Sequence, residues 1–276
     1  MQATPTIGFI GAGNMAAALI GGLVKRTRQP DHIIAFDPDT AKASRLRNEF
    51  SIQVAASNPA LLRDSDIVVL AVKPQIMRPV LTPLQSDLPD PAPLIVSVAA
   101  GIRIASIEKW LGRRLAVVRV MPNTPSLVGF GASGLCANDL VSPEQHDAAE
   151  VLMQSVGVVE WVENEPQLDT VTGISGSGPA YFMLFMEAMV DAAAARGLPR
   201  DTAEELVVQT CRGAAELAGA SDQSLEQLRI NVTSPGGTTE RALETMKTAH
   251  IDDIIRRAVN AAADRAGELA TTLAEE

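Results

Sequence analysis

Two glycine-containing stretches carry residue types that could bind phosphate and carboxylate groups. The first is a Gly-x-Gly-x-x-Ala motif formed by Gly11, Gly13 and Ala16. In such a motif the first glycine permits a tight turn, the second lets a pyrophosphate approach the backbone, and a small third residue lets a helix lie close to a strand. The helix that follows offers free amides and a positive dipole to phosphates. These residues predict a dinucleotide site.

Asp37 lies at the end of the next predicted strand, where its carboxylate could accept hydrogen bonds from ribose hydroxyls. Its charge would repel a 2′-phosphate, which favours NADH over NADPH. The alternative is a local turn formed by Asp37, Pro38 and Asp39. Because Arg45 and Arg47 are close in sequence, the sequence leaves the choice between NADH and NADPH open.

The second stretch is Thr-Ser-Pro-Gly-Gly-Thr-Thr-Glu at residues 233–240, a glycine-rich entry to a predicted helix. Hydroxyls and exposed amides at such a terminus can hold a carboxylate without a cation. The alternative is an ordinary cap, with Ser234 as the capping residue and Pro235 at the first helical position. Two glycines followed by two threonines are a poor start for a helix alone, so we favour a carboxylate site.

The elements that must position these residues alternate over the first part of the chain. Short β-branched runs with amphipathic segments between them predict a mostly parallel sheet built from βαβ crossovers. Lys73 follows one of these runs, at the carboxyl edge where such sheets bind ligands, although it could equally be a solvated loop residue. The predicted strands are residues 6–10, 33–36, 67–72, 94–98, 116–120, 133–137 and 158–162.

Long helical patterns replace the strands after residue 163, at residues 180–196, 200–217, 239–248 and 252–273. We therefore predict an α/β fold with two domains: an N-terminal Rossmann-type, doubly wound domain at 1–163 and a C-terminal all-helical domain at 164–276. Alanine-rich helices make a thin core for a monomer. We expect the helical domain to dimerise through small residues such as those at 192–195, with a monomeric helical domain as the alternative.

Composition excludes several classes of partner. There are 23 Lys and Arg residues against 33 Asp and Glu residues, a formal net charge of −10, so nucleic acid is not expected. Cys136 and Cys211 lack the spacing of a metal site or a disulfide framework, and no metal is expected. The uncharged stretch at 1–24 has no basic leader and that at 170–186 is too short to span a membrane. We expect a cytoplasmic protein without a membrane segment.

Six blocks of sequence resemble the pyrroline-5-carboxylate reductase family, in its order and spacing and over nearly the whole chain. The resemblance implies reduction of the cyclic imine 1-pyrroline-5-carboxylate to L-proline with NADPH or NADH, the last step of proline biosynthesis. It also implies a Rossmann domain followed by a helical dimerisation domain, in a homodimer or a higher oligomer such as a decamer. The blocks are residues 9–15, 71–75, 97–102, 121–125, 173–181 and 231–239.

The same resemblance implies the site residues. Thr239 is the family's proposed proton donor to the imine nitrogen, but a threonine hydroxyl is a weak acid, and a relay or an orienting hydrogen bond fits it better. Glu165 would stabilise an iminium, unless it is an exposed acid in an acidic run. The implied substrate contacts are Glu165, Ser234, Gly237, Thr238 and Thr239. The implied cofactor contacts are Ile10, Gly11, Ala12, Gly13, Asn14, Met15, Asp37, Asn58, Ala71, Val72, Lys73, Pro74, Val98, Ala99, Ala100 and Asn231.

Two other functions compete with this interpretation. A β-hydroxyacid dehydrogenase also joins a Rossmann half to a helical half, but it needs a catalytic lysine in the helical half. No lysine occurs between Lys109 and Lys247. A regulator that senses a dinucleotide without turnover would need the first site only, and it would leave residues 234–239 unexplained.

Overall fold

The computed structural model describes residues 4–275, in which the chain forms two compact units. The first runs to Ser177 and takes in the chain again from Asn260, and the second is Gly178–Val259. The predicted domain boundary after residue 163 falls earlier than this division. The difference arises because an ion pair between Arg103 and Asp169 joins the segment after residue 163 to the first unit.

The first unit is built on an eight-stranded sheet with the order β3-β2-β1-β4-β5-β6-β7-β8. All neighbouring strands are parallel except β6 and β7. This confirms the doubly wound, mostly parallel sheet. The strands are β1 (Ile7–Ile10), β2 (Ile33–Phe36), β3 (Gln53–Val54), β4 (Ile67–Leu70), β5 (Leu94–Ser97), β6 (Val117–Met121), β7 (Gly131–Ala137) and β8 (Gly157–Trp161).

The sequence reading did not predict β3. Its two residues are exposed, and two residues are too few to show a period-2 apolar pattern. Pairing with Ile34 and Ala35 of β2 makes them a strand, so this element depends on a tertiary contact.

Helices cover both faces of the sheet and give two apolar cores. Adjacent residues of a strand point to opposite faces: Phe9 belongs to one core and Ile10 to the other. Both are at most 1% exposed. The helices of this unit are α1 (Asn14–Thr27), α2 (Thr40–Phe50), α3 (Asn58–Arg63), α4 (Met77–Leu81), α5 (Ile104–Leu111), α6 (Pro143–Gln154) and α7 (Gln167–Val171).

The remaining helices are α8 (Gly178–Ala195), α9 (Arg200–Gly219), α10 (Leu225–Asn231), α11 (Thr238–Thr248) and α12 (Ile251–Glu275), the last of which returns to the first unit. The helical unit has a small core of Val190, Ala203 and Val207. Phe182 and Leu184 of α8 are about two-thirds exposed, at 64% and 67%. The single chain therefore leaves much of α8 uncovered. Among residues 4–275, no helix combines the length and apolar character needed to cross a membrane.

Helix α1 contacts the segment between α6 and β8 through a glycine. A Cβ atom at Gly22 would lie 2.5 Å from the carbonyl oxygen of Ser155 and 2.8 Å from Cγ1 of Val156. At Gly21 a Cβ would meet only the edge of the Phe50 ring, at 3.1 Å. A backbone carbonyl cannot move aside as a ring can, so only Gly22 is required by packing.

Gly22→Ala and Gly21→Ala gain the same helix propensity, so their difference isolates this steric contact. We expect Gly22→Ala to have a free energy of unfolding lower than Gly21→Ala by about 1–3 kcal/mol, the usual cost of overpacking. Urea denaturation measures the difference. Equal free energies of unfolding in the two variants would contradict the close approach.

Candidate functional site

The predicted glycine turn lies between β1 and α1, at the carboxyl edge of the sheet. Gly11 has a φ of +103°, which side-chain-bearing residues rarely adopt, and its N–H donates to the carbonyl of Phe36 at 2.8 Å. A Cβ there would lie 2.7 Å from the carbonyl oxygen of Ala71. Gly13 differs, because no described atom lies within 4 Å of where its Cβ would stand. Gly11 is needed by the fold, and Gly13 leaves room for a ligand.

Helix α1 begins next to this space with no capping side chain. Its N-cap is Gly13, and its first turn contains no acidic residue. The first-turn N–H groups of a helix have no intrahelical acceptor. Together with the helix dipole they suit a pyrophosphate, and the residues here fit the predicted dinucleotide.

Asp37 forms the local turn that is the alternative to ribose binding. Its Oδ1 accepts the N–H of Asp39 at 2.9 Å, and its Oδ2 accepts the N–H of Ala12 at 2.9 Å. The carboxylate therefore ties the end of β2 to the glycine turn. Each oxygen keeps a second lone pair, so the turn and the ribose contact are compatible, and the ribose contact stays a prediction.

A cleft of about 790 Å³ opens along this edge of the sheet. The Oδ1 atom of Asn58 is buried and has no hydrogen-bond partner among the described residues, and a hydrogen-bond donor on a nucleotide would fit it. The cleft is lined by these predicted cofactor residues: Ile10, Gly11, Gly13, Asp37, Asn58, Ala71, Val72 and Lys73.

The other predicted cofactor residues do not line this cleft. Ala12, Asn14 and Met15 continue the glycine turn into α1, Pro74 follows Lys73, and Asn231 ends α10 in the helical unit. Val98, Ala99 and Ala100 follow β5 at the same sheet edge. Their cofactor contacts stay predictions.

Sequence reading missed Lys42, which lines the cleft on the Asp37 side. Its Nζ lies 3.5 Å from Oδ2 of Asp39, one helical turn earlier. A lysine in the first turn of the helix after β2 is the signal that could have identified it. Lys42 places a cation beside Asp37 and Asp39, so the charge at this end of the cleft is mixed rather than purely acidic.

In the second stretch, helix α11 begins at Thr238 with Gly237 as its N-cap and no capping side chain. The predicted alternative, a cap by Ser234, is therefore wrong. Gly236 has a φ of +70°, and the Gly237 N–H donates to the carbonyl of Ser234 at 2.9 Å. This turn moves the helix start three residues beyond Pro235. The amides of Thr238 and Thr239 thus occupy the first turn of an uncapped helix.

The same turn carries one acidic neighbour that the sequence reading left without a role. Oε2 of Glu240 accepts the N–H of Gly236 at 2.6 Å. A carboxylate in the first turn interacts favourably with the helix dipole. Glu240 thus binds the amide of the turn before the helix, and the N-cap Gly237 leaves the first-turn amides of α11 without a capping side chain.

Glu165 is neither an exposed acid nor free of partners. Its Oε1 lies 3.0 Å from Nη1 of Arg119 and accepts the N–H of Ile104 at 2.9 Å. Arg119 is 2% exposed and also approaches Oδ1 of Asp169 at 3.8 Å. The exposed-acid alternative is therefore wrong. The substrate contact implied for Glu165 stays a prediction. The carboxylate that would make this contact has its charge balanced by Arg119.

Cys136 pairs with Arg119 across β6 and β7. Burial raises the pKa of the Cys136 thiol, and the nearby Glu165 carboxylate raises it further, while Arg119 acts in the opposite direction. The thiol therefore stays protonated and unreactive near neutral pH. Cys136 acts as a small packing residue in this network.

The doubly wound sheet, the glycine turn and the free helix start define a Rossmann-type dinucleotide-binding protein. Residues 165–269 match the family model described as pyrroline-5-carboxylate reductase dimerisation, and residues 6–101 match NADP oxidoreductase, coenzyme F420-dependent. The chain is 48% identical to the pyrroline-5-carboxylate reductase of Pseudomonas aeruginosa over 99% of this chain and 100% of that protein. It is 43% identical to the pyrroline-5-carboxylate reductase of Vibrio alginolyticus, over 95% of this chain and 97% of that protein.

Solved structures of pyrroline-5-carboxylate reductases show the same similarity. A pyrroline-5-carboxylate reductase from Coxiella burnetii superposes with a TM-score of 0.93 at 41% identity, covering 97% of this chain and 99% of that one. The Plasmodium falciparum pyrroline carboxylate reductase with NADP bound superposes with a TM-score of 0.83 at 32% identity, covering 97% of this chain and 98% of that one. The chain belongs to the pyrroline-5-carboxylate reductase family. This excludes the β-hydroxyacid dehydrogenase alternative.

The contrast between Gly11 and Gly13 gives a test of the cleft. We expect Gly11→Ala to lose thermal stability, because of its φ and the nearby Ala71 carbonyl. Gly13→Ala should keep the wild-type melting temperature and lose about tenfold or more in dinucleotide affinity, since its Cβ would intrude on the pyrophosphate. Thermal melts and fluorescence titration with NADH and NADPH measure both effects. Unchanged dinucleotide affinity in folded Gly13→Ala would contradict the placement.

Proposed function

We propose that this chain reduces 1-pyrroline-5-carboxylate to L-proline with NADPH or NADH. The observation that carries the proposal is the uncapped start of α11, which offers amides and threonine hydroxyls for a substrate carboxylate in a chain that also has a dinucleotide cleft. The bound nicotinamide supplies a hydride to the imine carbon. The imine nitrogen takes one proton, and the C=N bond becomes CH–NH.

The dinucleotide is held by the edge of the Rossmann sheet in this proposal. The start of α1 after Gly13 takes the pyrophosphate, and Asp37 takes the adenosine ribose, with Lys42 beside it. The free Oδ1 of Asn58 accepts from the same end of the cofactor. Further cofactor contacts are assigned to Val98, Ala99, Ala100 and Asn231, as the family resemblance implies.

The substrate is held by the start of α11. The amides and hydroxyls of Thr238 and Thr239, with Ser234 and Gly237 in the turn before them, take the carboxylate and the ring. Thr239 orients or relays the proton at the imine nitrogen, because a neutral hydroxyl is too weak an acid to protonate an imine unaided. Glu165 contributes through its ion pair with Arg119.

A homodimer formed by the helical part of the chain is the assembly we propose. The match to the dimerisation family over residues 165–269 supports it. The exposed apolar residues of α8, such as Phe182 and Leu184, also support it, because a monomer would leave them in water. The mass in solution tests the assembly and separates a dimer from a larger oligomer such as a decamer.

The direct test of the activity follows the absorbance of the reduced nicotinamide when purified protein meets 1-pyrroline-5-carboxylate. We expect turnover with this imine and none with small 3-oxo acids. A protein that binds the dinucleotide but consumes none with the imine would be a sensor, and the proposed activity would be wrong.

Thr239→Ala should lower kcat by about tenfold or more, because an orienting or relaying hydroxyl is lost, and should leave the dinucleotide Kd nearly unchanged. Thr245→Ala is the matched control. Its hydroxyl lies on the same helix and donates to the Arg241 carbonyl at 3.0 Å, in the helix interior. Steady-state kinetics and dinucleotide titration separate the two variants. Loss of dinucleotide affinity in Thr239→Ala would contradict our placement of the substrate site.

Asp37→Ser should raise the ratio of kcat/KM with NADPH to kcat/KM with NADH, because it removes a charge that repels a 2′-phosphate. Both values are expected to fall, since the Ala12 N–H loses its acceptor. Asp39→Ser is the control: it removes a neighbouring charge, and serine preserves the cap that Asp39 provides to the N–H of Ala41. An unchanged NADPH/NADH ratio in Asp37→Ser would rule out the ribose contact.

A further inference from the structure

Strand β6 and the extended residues that follow it carry three side chains that contact one later segment of the first unit. Arg119 and Met121 of β6 and Asn123, two residues beyond the strand, alternate along the chain, so they lie on the same face. Their partners lie at residues 165–176, which we name the turn segment. Arg119 pairs with Glu165, and Nδ2 of Asn123 donates to the carbonyl of Ser175 at 3.1 Å.

The turn segment ends in an unusual backbone geometry. Helix α7 passes directly into a π-helical turn, Thr172–Gly176. Such turns are rare and occur frequently at functional sites. The turn lies close against β6, since a Cβ at Gly176 would be 2.5 Å from Cε of Met121. Ser177 N–H closes it by donating to the carbonyl of Thr172 at 2.8 Å.

Asn123 supplies a hydrogen-bond donor that the backbone of this turn lacks. In a continuing α-helix the carbonyl of Ser175 would accept the N–H of the residue four positions later, which is Pro179 and has no N–H. The side-chain amide of Asn123 supplies the missing donor. Its own Oδ1 accepts the N–H of Ala132 at 2.9 Å, and the residue is 8% exposed. Asn123 therefore joins the turn to β7 through two partly buried hydrogen bonds.

The position of the Asn123–Ser175 hydrogen bond in the sheet relates it to the cofactor site. Strands β1, β4, β5 and β6 are parallel, so their carboxyl ends share one edge. In a doubly wound sheet each half binds one mononucleotide. The Asp37 end of the cleft belongs to the half with β1 to β3. The nicotinamide is therefore expected at β4 to β6, where Asn123 follows β6.

We propose that Asn123 is a positioning residue that fixes the π-helical turn Thr172–Gly176 at the nicotinamide side of the sheet during hydride transfer. This inference rests on the proposed function. A turn displaced by about 1 Å would widen the gap between hydride donor and acceptor, and displacements of that size lower rates by up to about a hundredfold. Asn123 does not touch the reacting atoms, so its loss should affect turnover more than binding.

The chain offers a matched control at the opposite end of the same strand. Nδ2 of Asn138 donates to the carbonyl of Leu115 at 2.8 Å, and its Oδ1 accepts the N–H of Val117 at 3.2 Å. Like Asn123, it joins two backbone segments. It lies at the amino end of β6, away from the edge that binds ligands. Nδ2 of Asn138 also donates to Oε1 of Glu108 at 3.1 Å, so Asn138→Asp imposes at least the general cost of losing this kind of amide donor.

Asn123→Asp keeps the size and the acceptor but turns a carboxylate oxygen toward the Ser175 carbonyl. We expect Asn123→Asp and Asn138→Asp both to lower the melting temperature, the latter by at least as much because it also places a carboxylate beside Glu108. Only Asn123→Asp should lower kcat, by about tenfold to a hundredfold. The KM for the dinucleotide should change by less than about twofold, and the deuterium isotope effect with 4-deuterated NADPH should increase because hydride transfer becomes slower.

The pH profile gives a second readout. When protonated, the new carboxyl group at position 123 can again donate to the Ser175 carbonyl. The ratio of kcat in Asn123→Asp to kcat in the wild type should therefore rise as the pH falls, whereas the ratio for Asn138→Asp stays near one. A merely structural role would not produce this recovery.

Equal losses of kcat in both variants, or wild-type kcat in Asn123→Asp, would overturn the inference. Should Asn123→Asp fail to fold, Asn123→Ala and Asn138→Ala provide the same comparison without a repelling charge. A wild-type protein that consumes no reduced dinucleotide with the imine refutes the proposed function and this inference together. Wild-type turnover with indistinguishable variants refutes the inference alone.

Discussion

The close approach of two backbone segments at Gly11 is the constraint on which the rest of the nucleotide-binding edge depends. The Ala71 carbonyl after β4 lies 2.7 Å from the position that a Cβ at Gly11 would take. Only a residue without a side chain allows β1 to turn there with a positive φ. The turn then brings Ala12 to Asp37 and starts α1 with uncapped amides. The phosphate site is therefore a consequence of the close packing between the ends of the parallel strands β1 and β4.

A second constraint is the buried charge of Arg119. A guanidinium that is 2% exposed is costly unless anions surround it, and Glu165 and Asp169 provide them. Those acids lie on the segment that leads into the π-helical turn. The arginine therefore requires this segment to lie against β6, and Arg103 reinforces the arrangement through Asp169. Electrostatic pairing and the Asn123 bridge hold the same stretch of chain from two points.

Much of the fold could be predicted because its signals are local. Apolar β-branched runs predicted seven of the eight described strands, and breaker residues separated α8 from α9. The elements missed were short: β3 has two residues and α10 has seven. Such elements are too short for a period to emerge, and β3 is stabilised mainly by pairing with β2. The division into compact units depends on long-range contacts, since residues 260–275 of α12 belong with the first unit and no local sequence pattern marks this.

The sequence by itself determined the glycine turn, the alternation that builds a parallel sheet, and the family, because each is written in residue types at fixed local spacing. Only the tertiary structure decided the partners of side chains whose meaning was open. Asp37 accepts an amide of the glycine turn, Glu165 is engaged by Arg119, and Asn123 reaches Ser175. These pairs join residues tens of positions apart. Hydrogen bonds and ion pairs act over a few ångströms, so their formation depends on which strands and turns the fold brings together.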